Sequence, residues 1–460
     1  MKKTGIYIAL SFLCILLFSV LFTLLQNEKI YMHSLGRISH NYERSGDWNA
    51  YSIHAVKKPF LEVKNENLLH WDADIYNCIR QHGYKIEDAC YGHIRAAFFP
   101  LFPLVWKISS ASPLAISLLN FIFFSIALGL LFLHLLPPET AKNKALFFLL
   151  LCFPGAIIFA IPYSESLFML SMSIAVVGIL KKRYSLYFVG IILLAMVRPA
   201  TIFVALAFIA SELFFALKNK EYQGLARRIA GKIIPFILGY ALVFLILSLS
   251  SHNPFVFFEA QTHWNAGIKP FDKISDWSTE SFAMSSFALF FVAIPSLLYL
   301  LYTFFFQSNK SRFFESGHRQ HHSHYLLVLS AFYMAGIFLF SAISSGGNMH
   351  SFYRFIICSP FFFISLLILL GKKYVSLPIN IWLLGSLAAC IFFLYHVEFG
   401  GDKISFPYLG TALSILSLVS ILRFSTQPKF YVLAIVLSLG QLIWNAYLFN
   451  AFMSNGWIFT

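Results

Sequence analysis

Two carboxylates stand two residues apart beside an aromatic ring in His70-Trp71-Asp72-Ala73-Asp74-Ile75-Tyr76. In such a pair one carboxylate can serve as general base toward a hydroxyl while the other orients the molecule carrying it or holds a cation. The same residues have a plain structural use, because Asp is a favoured helix N-cap and first-turn acids suit the helix dipole. The residues alone leave base and cap side by side.

Other groups invite the same double reading. Glu165, in Tyr163-Ser164-Glu165-Ser166-Leu167-Phe168, opens an apolar run. An ionisable group at such a boundary is a functional candidate, and a first-turn glutamate behind a capping Ser164 explains it equally. Arg198-Pro199 lies between two apolar runs. Facing hydrocarbon would be costly, so Arg198 should face protein, water or an anion; a lipid phosphate fits, and so does an ion pair with Glu165. The segment from Asn253 through Gln261, His263 and Trp264 offers rings for sugar stacking, or an interfacial aromatic belt. His350, Tyr353 and Arg354 fall at an expected helix start, a place that favours anions, or snorkel at the interface. Pro100 and Pro103 should bend the chain and carry no chemistry. The run His318-Arg319-Gln320-His321-His322-Ser323-His324 has no neighbouring carboxylate or cysteine to complete a metal site, and reads as a basic lipid-facing loop.

The elements that must position these groups are membrane helices. Hydrophobic residues make up 58% of the 460 and charged residues 12%, against about 25% charged in soluble domains. Mean hydropathy is +0.72, more apolar surface than one soluble core buries. The net charge of +14 resides in short clusters between apolar runs, which reports topology and contact with anionic lipid and excludes a nucleic-acid groove. Cys14, Cys152, Cys358 and Cys390 sit in apolar runs as small hydrophobes. Cys78 and Cys90 share one polar loop, where a disulfide and two free thiols both remain open.

Lys2 and Lys3 precede the apolar run 5–25, read as an uncleaved first span with a cytoplasmic N-terminus. Further runs cover 113–136, 145–162, 165–180, 184–197, 199–217, 233–250, 283–306, 325–343, 353–371, 374–395, 405–423 and 430–450. This predicts about eleven to thirteen spans in a single domain, 1–460. Basic residues occupy alternate connections, on the side of Lys2-Lys3. The first polar loop, 26–95, and a second, 251–282, then lie outside the cytoplasm with 344–354 and 396–404. Runs 184–197 and 199–217 predict either two half-helices or one kinked element.

The order of the motifs adds what no single one gives. Trp71-Asp72 with Asp74 and Tyr76, then His82-Gly83-Tyr84, then Phe98-Phe99-Pro100 with Pro103, then Tyr163 to Phe168, together resemble the PIG-V mannosyltransferase family. That family makes the second mannose transfer in GPI-anchor assembly and has bacterial relatives. The resemblance runs from residue 70 to residue 360, and Arg198, Gln261, Trp264 and Arg354 also look like family positions. It implies an all-α polytopic GT-C glycosyltransferase fold, with a catalytic carboxylate in the first extracytoplasmic loop. It also implies a polyprenyl- or dolichyl-phosphate hexose donor, typically mannose, and a glycolipid or glycan acceptor. Asp72 becomes the expected base and Asp74 the acid that helps place the acceptor. Trp71, Tyr163, Glu165, Arg198, Gln261, Trp264, His350 and Arg354 become expected substrate contacts, several of them on the donor phosphate. No cofactor is required on this reading, and a divalent cation is an option rather than a necessity. The expected setting is a bacterial plasma membrane, with membrane lipids around the chain and a partner subunit left open. Segment 26–70 matches nothing in the family, so the acceptor is not defined. A transporter or flippase of lipid-linked sugars is the alternative; matching helix breaks in two halves would favour it, and only Pro199 supplies one. A structural membrane subunit is the third reading.

Overall fold

Helices that are apolar on every face are stable in hydrocarbon or in a protein core. In the computed structural model, seven described helical segments are long and apolar enough to cross a membrane, and five shorter apolar ones accompany them. The described residues are 2–35, 41–44, 53–56, 59–85, 90–253, 255–262, 284–306, 317–344, 351–371, 377–396, 406–456 and 458. In chain order the helices are α1 (Lys2–Leu25), α2 (Glu28–Ser34), α3 (Asp72–His82), α4 (Leu101–Ser109), α5 (Pro113–Leu135), α6 (Lys144–Leu151), α7 (Glu165–Leu180), α8 (Tyr184–Ala195), α9 (Thr201–Asn219), α10 (Leu225–Ser251) and α11 (Val256–Thr262). They continue with α12 (Met284–Phe305), then α13 (Gly317–Ser344), α14 (Phe352–Ile356), α15 (Pro360–Gly371), α16 (Leu377–His396), α17 (Phe406–Phe424) and α18 (Phe430–Met453). The chain is an all-α, multi-pass membrane protein, as composition predicts. One small antiparallel pair, β1 (Asn41–Arg44) with β2 (Ile53–Val56), sets Tyr42 against Ala55 within 26–95.

Hydrogen bonds between distant segments define the two ends of the bundle. At one end Tyr7 Oη donates to the Ala141 carbonyl (2.5 Å) and Asn143 Nδ2 to that of Ser425 (2.9 Å). Lys218 Nζ donates to the Thr303 carbonyl (2.7 Å) and Arg228 Nε to Glu212 (3.2 Å). This is the basic end. At the other, Gln26 Nε2 donates to the Leu61 carbonyl (2.9 Å), and the Leu114 amide to Asn65 Oδ1 (3.1 Å). The Leu61 amide donates to Asn450 Oδ1 (2.8 Å), which brings the end of α18 to the first loop.

The apolar run 145–162 does not form the single helix expected of it. α6 stops at Leu151, and Phe153-Pro154-Gly155 breaks the run before a 3-10 turn at Ala156–Phe159. Broken backbone at membrane depth is stable only when other groups take up its hydrogen bonds. Here Asn445 Nδ2 donates to the carbonyls of Cys152 (2.8 Å) and Phe153 (3.4 Å), and its Oδ1 accepts from the Ile157 amide (3.2 Å). Asn120 Nδ2 donates to the carbonyls of Ile161 (2.7 Å) and Tyr163 (2.9 Å), and Tyr353 Oη to that of Pro154 (2.5 Å). Asn445→Leu should therefore lower thermal stability by about 3 kcal/mol or more, since it leaves buried backbone groups unpaired. Scanning fluorimetry in detergent checks this, and an unchanged midpoint would remove Asn445 from the account.

Around Arg198-Pro199 the structure decides for two helices. α8 ends at Ala195 and α9 starts at Thr201, running back to the basic end at Lys218. At twelve residues α8 is about 18 Å long, shorter than the ~30 Å of a hydrocarbon core. Gly190 lets α8 lie against α7 at backbone distance: a Cβ there would meet the Ala175 amide nitrogen at 2.7 Å and the Ser171 carbonyl at 2.9 Å. That packing brings Arg198, just past α8, to Glu165 at the start of α7.

Candidate functional site

The acids of α3 are not its cap. Trp71 takes the cap position with φ 56° and ψ −128°, and no side chain caps the helix. A bulky residue at positive φ is costly and persists where its surroundings fix it. The Trp71 carbonyl accepts from the amides of Asp74 (3.1 Å) and Ile75 (3.4 Å), which starts the helix at Asp72. Both carboxylates are thus free to reach elsewhere, and they go to different partners.

Asp72 Oδ2 accepts from Arg354 Nη2 at 2.7 Å. Arg354 Nε donates to Glu165 Oε1 at 2.5 Å, and Arg198 Nη1 donates to the same oxygen at 2.7 Å. Side-chain exposure is 0% for Glu165, 7% for Arg354, 14% for Arg198 and 15% for Asp72. Two carboxylates and two guanidiniums make the cluster neutral, as buried charge requires. Aromatic faces complete it, with Arg354 4.6 Å over Tyr163 and Arg198 5.3 Å over Phe355. Tyr76 Oη donates to Ser164 Oγ at 2.9 Å and so braces α3 against the start of α7. Burial, then the charges of Asp72 and Glu165, push the Tyr76 phenol up and keep it protonated as that donor.

The open atoms matter as much as the paired ones. Among the described residues Asp72 Oδ1 has no hydrogen-bond donor, and Arg198 donates only through Nη1. The ion pair between Arg198 and Glu165 was one of two uses the sequence allowed. The structure shows it, so an anion reaching Arg198 would use the N–H groups that the Glu165 pair leaves over.

Asp74 Oδ2 accepts from Tyr91 Oη at 2.5 Å. Burial and the Asp74 carboxylate push the Tyr91 phenol up, so it stays the donor. Cys78 and Cys90, open between disulfide and thiols in the sequence, form a disulfide with Cα atoms 6.4 Å apart. The four cysteines of the apolar runs are buried and free. His70 Nε2 lies 3.3 Å from the Met453 carbonyl, an acceptor only, so that nitrogen carries the proton. Burial lowers the His70 pKa and keeps the ring neutral at pH 7.

Of the expected site residues, Asp72, Tyr163, Glu165, Arg198 and Arg354 meet in one cluster, with Trp71 setting the start of α3 and Asp74, two residues on, on another face of that helix. Gln261 does not join them. It is half-buried on α11, which is linked to the first loop through His93 Nδ1 and Glu259 (3.9 Å). Trp264 and His350 lie outside the described residues, as do most of 251–282 and the side chains of 318–321. His324, at the end of the histidine run, faces Tyr299 Oη at 3.2 Å, and no group of three metal-ligating side chains occurs among the described residues. Sequence reasoning missed Tyr91, for which only its place beside Cys90 was a signal. It also missed Asn120 and Asn445, whose amides inside apolar runs were the sign of buried polar work.

Over 135 residues the chain is 33% identical to GPI alpha-1,6-mannosyltransferase 2 of Homo sapiens, a stretch covering 24% of this chain and 25% of that protein. No family model matches the chain. No solved structure matches it. The chain is thus similar, over a quarter of its length, to a quarter of that mannosyltransferase.

Proposed function

We propose that this protein is an integral membrane glycosyltransferase of the GT-C type, moving a hexose from a polyprenyl-phosphate sugar to a glycolipid or glycan. Mannose is the first candidate, because the human relative's name specifies it. The observation that carries the reading is Asp72, held through Oδ2 by Arg354 and without a donor at Oδ1 among the described residues, in the same cluster as a guanidinium whose other N–H groups meet no acceptor among those residues. In the reaction Asp72 Oδ1 takes the acceptor hydroxyl proton as its oxygen bonds to the anomeric carbon. The bond from that carbon to the phosphate oxygen breaks, and its electrons remain on the lipid phosphate. Nε and Nη2 of Arg198 receive the charge that develops there. One displacement inverts the configuration. Lipid phosphate is a fair leaving group, so a metal would help the step without being obligatory.

The site is assigned to the extracytoplasmic face of a bacterial plasma membrane. The Cys78–Cys90 disulfide beside Asp74 favours an oxidising compartment, and among the described residues Lys218, Arg228 and the connection carrying Lys142 lie at the opposite end of the bundle. Purified protein in liposomes with polyprenyl-phosphate-[3H]mannose and a total membrane lipid extract tests the reading. Label should move from the carrier into a new glycolipid. Label that changes leaflet but stays on the carrier would replace this reading with that of a flippase.

A further inference from the structure

Asp74 and Cys78 lie one turn apart on the same face of α3, and Cys90 and Tyr91 are neighbours in sequence. Two cross-links therefore run side by side between the same two pieces of chain: the Cys78–Cys90 disulfide and the hydrogen bond from Tyr91 Oη to Asp74 Oδ2 at 2.5 Å. Tyr91 has φ 59°, a left-handed conformation that a tyrosine adopts only when held. It is held on both sides. The disulfide fixes the residue before it. After it, the buried Arg95 donates to the carbonyls of Gly92 (3.1 Å), Gly83 (3.3 Å) and Lys85, tying the following turn to the exit of α3. Tyr91 is 39% exposed, and Asp74 Oδ1 has no donor among the described residues.

We infer that Tyr91 is the positioning residue on the acceptor side, set in place by the Cys78–Cys90 disulfide, and that with Asp74 it receives a polyhydroxylated ring. The inference rests on the glycosyltransferase reading. The phenol fixes the rotamer of Asp74, so that Oδ1 faces a hydroxyl, and the ring gives the apolar face of a sugar a surface to lie on. Glu259, linked to His93 in the same turn, extends the arrangement to α11 and so to Gln261.

Two linked cross-links must each stabilise the other, which gives a readout independent of transfer. Wild-type protein and Tyr91→Phe are equilibrated with mixtures of reduced and oxidised dithiothreitol, and Cys78 and Cys90 are alkylated and counted by peptide mass. Loss of a charge-assisted hydrogen bond should shift the equilibrium constant toward the dithiol by about tenfold. Equal constants for the two proteins overturn the inference. In the liposome assay Tyr91→Phe should raise the apparent KM for the acceptor extract about tenfold and leave the donor KM unchanged. Reduction or Cys78→Ser/Cys90→Ser should do the same to wild type, and reduction should add nothing to Tyr91→Phe. If Asp74→Asn raises the acceptor KM and Tyr91→Phe does not, the inference fails while the glycosyltransferase reading stands. If Asp74→Asn leaves the acceptor KM unchanged, Asp74 has no acceptor role and both parts of the assignment fall.

Discussion

Asp72→Asn is expected to reduce sugar transfer by about 100- to 10,000-fold in kcat, the span that loss of a general base produces. The substitution keeps size and shape, and an amide oxygen in the place of Oδ2 still accepts from Arg354 Nη2. The fold and the donor site should survive, so the donor KM should change little. What disappears is a group that can take a proton. Initial rates at saturating polyprenyl-phosphate-[3H]mannose measure the effect, with thermal stability compared on the same preparations. Turnover within about twofold of wild type, far below that span, would remove Asp72 as the base.

Glu165→Gln is expected to damage stability as well as transfer. Glu165 is fully buried, and its Oε1 accepts from both Arg198 and Arg354. A neutral side chain there leaves two guanidiniums facing the single charge of Asp72. Breaking a buried pair by removing one partner costs about 3–5 kcal/mol, because the charge left behind is uncompensated. The protein should unfold at lower temperature in detergent and lose transfer. Removing a cation as well restores neutrality, so Glu165→Gln combined with Arg198→Met should be more stable than Glu165→Gln alone, though inactive. This non-additivity is the signature of the pair. An unshifted midpoint for Glu165→Gln, or strictly additive effects, would mean the cluster is not held together by charge.

The two predictions separate roles that the sequence had left joined. Asp72 and Glu165 both read as either first-turn acids or functional groups. Both do stand in the first turn of a helix, α3 and α7 respectively. Their side chains leave the turn to meet guanidiniums, and Glu165 ends fully buried while Asp72 keeps one oxygen without a donor among the described residues. Nothing local distinguishes them, since an acid at a helix start looks the same whatever lies across from it.

The break at Phe153-Pro154-Gly155 shows a different limit. Proline and glycine were visible in the run 145–162, yet both occur in continuous membrane helices when neighbours satisfy the freed backbone. Whether this run continued depended on Asn120, Asn445 and Tyr353, which come from three other elements. The turn at Arg198-Pro199 was likewise settled by Gly190, which brings α8 to backbone distance from α7.

The sequence by itself determined that this is a multi-pass helical membrane protein, where many of its long apolar helices lie, and which ionisable residues were candidates for more than surface. Hydrocarbon imposes those features one residue at a time: a span must be apolar on all faces, and any charge inside it must find a partner. Tertiary structure alone decided who the partners are. Glu165 and Arg198 are 33 residues apart, Glu165 and Arg354 189, and Asp72 and Arg354 282. The Cys78–Cys90 bond and the Tyr91 contact are closer in sequence, yet Gly83 marks only where α3 ends and not which side chains meet afterwards. Pairings of this kind follow from where helix packing brings side chains, and packing is a property of the whole bundle rather than of any one span.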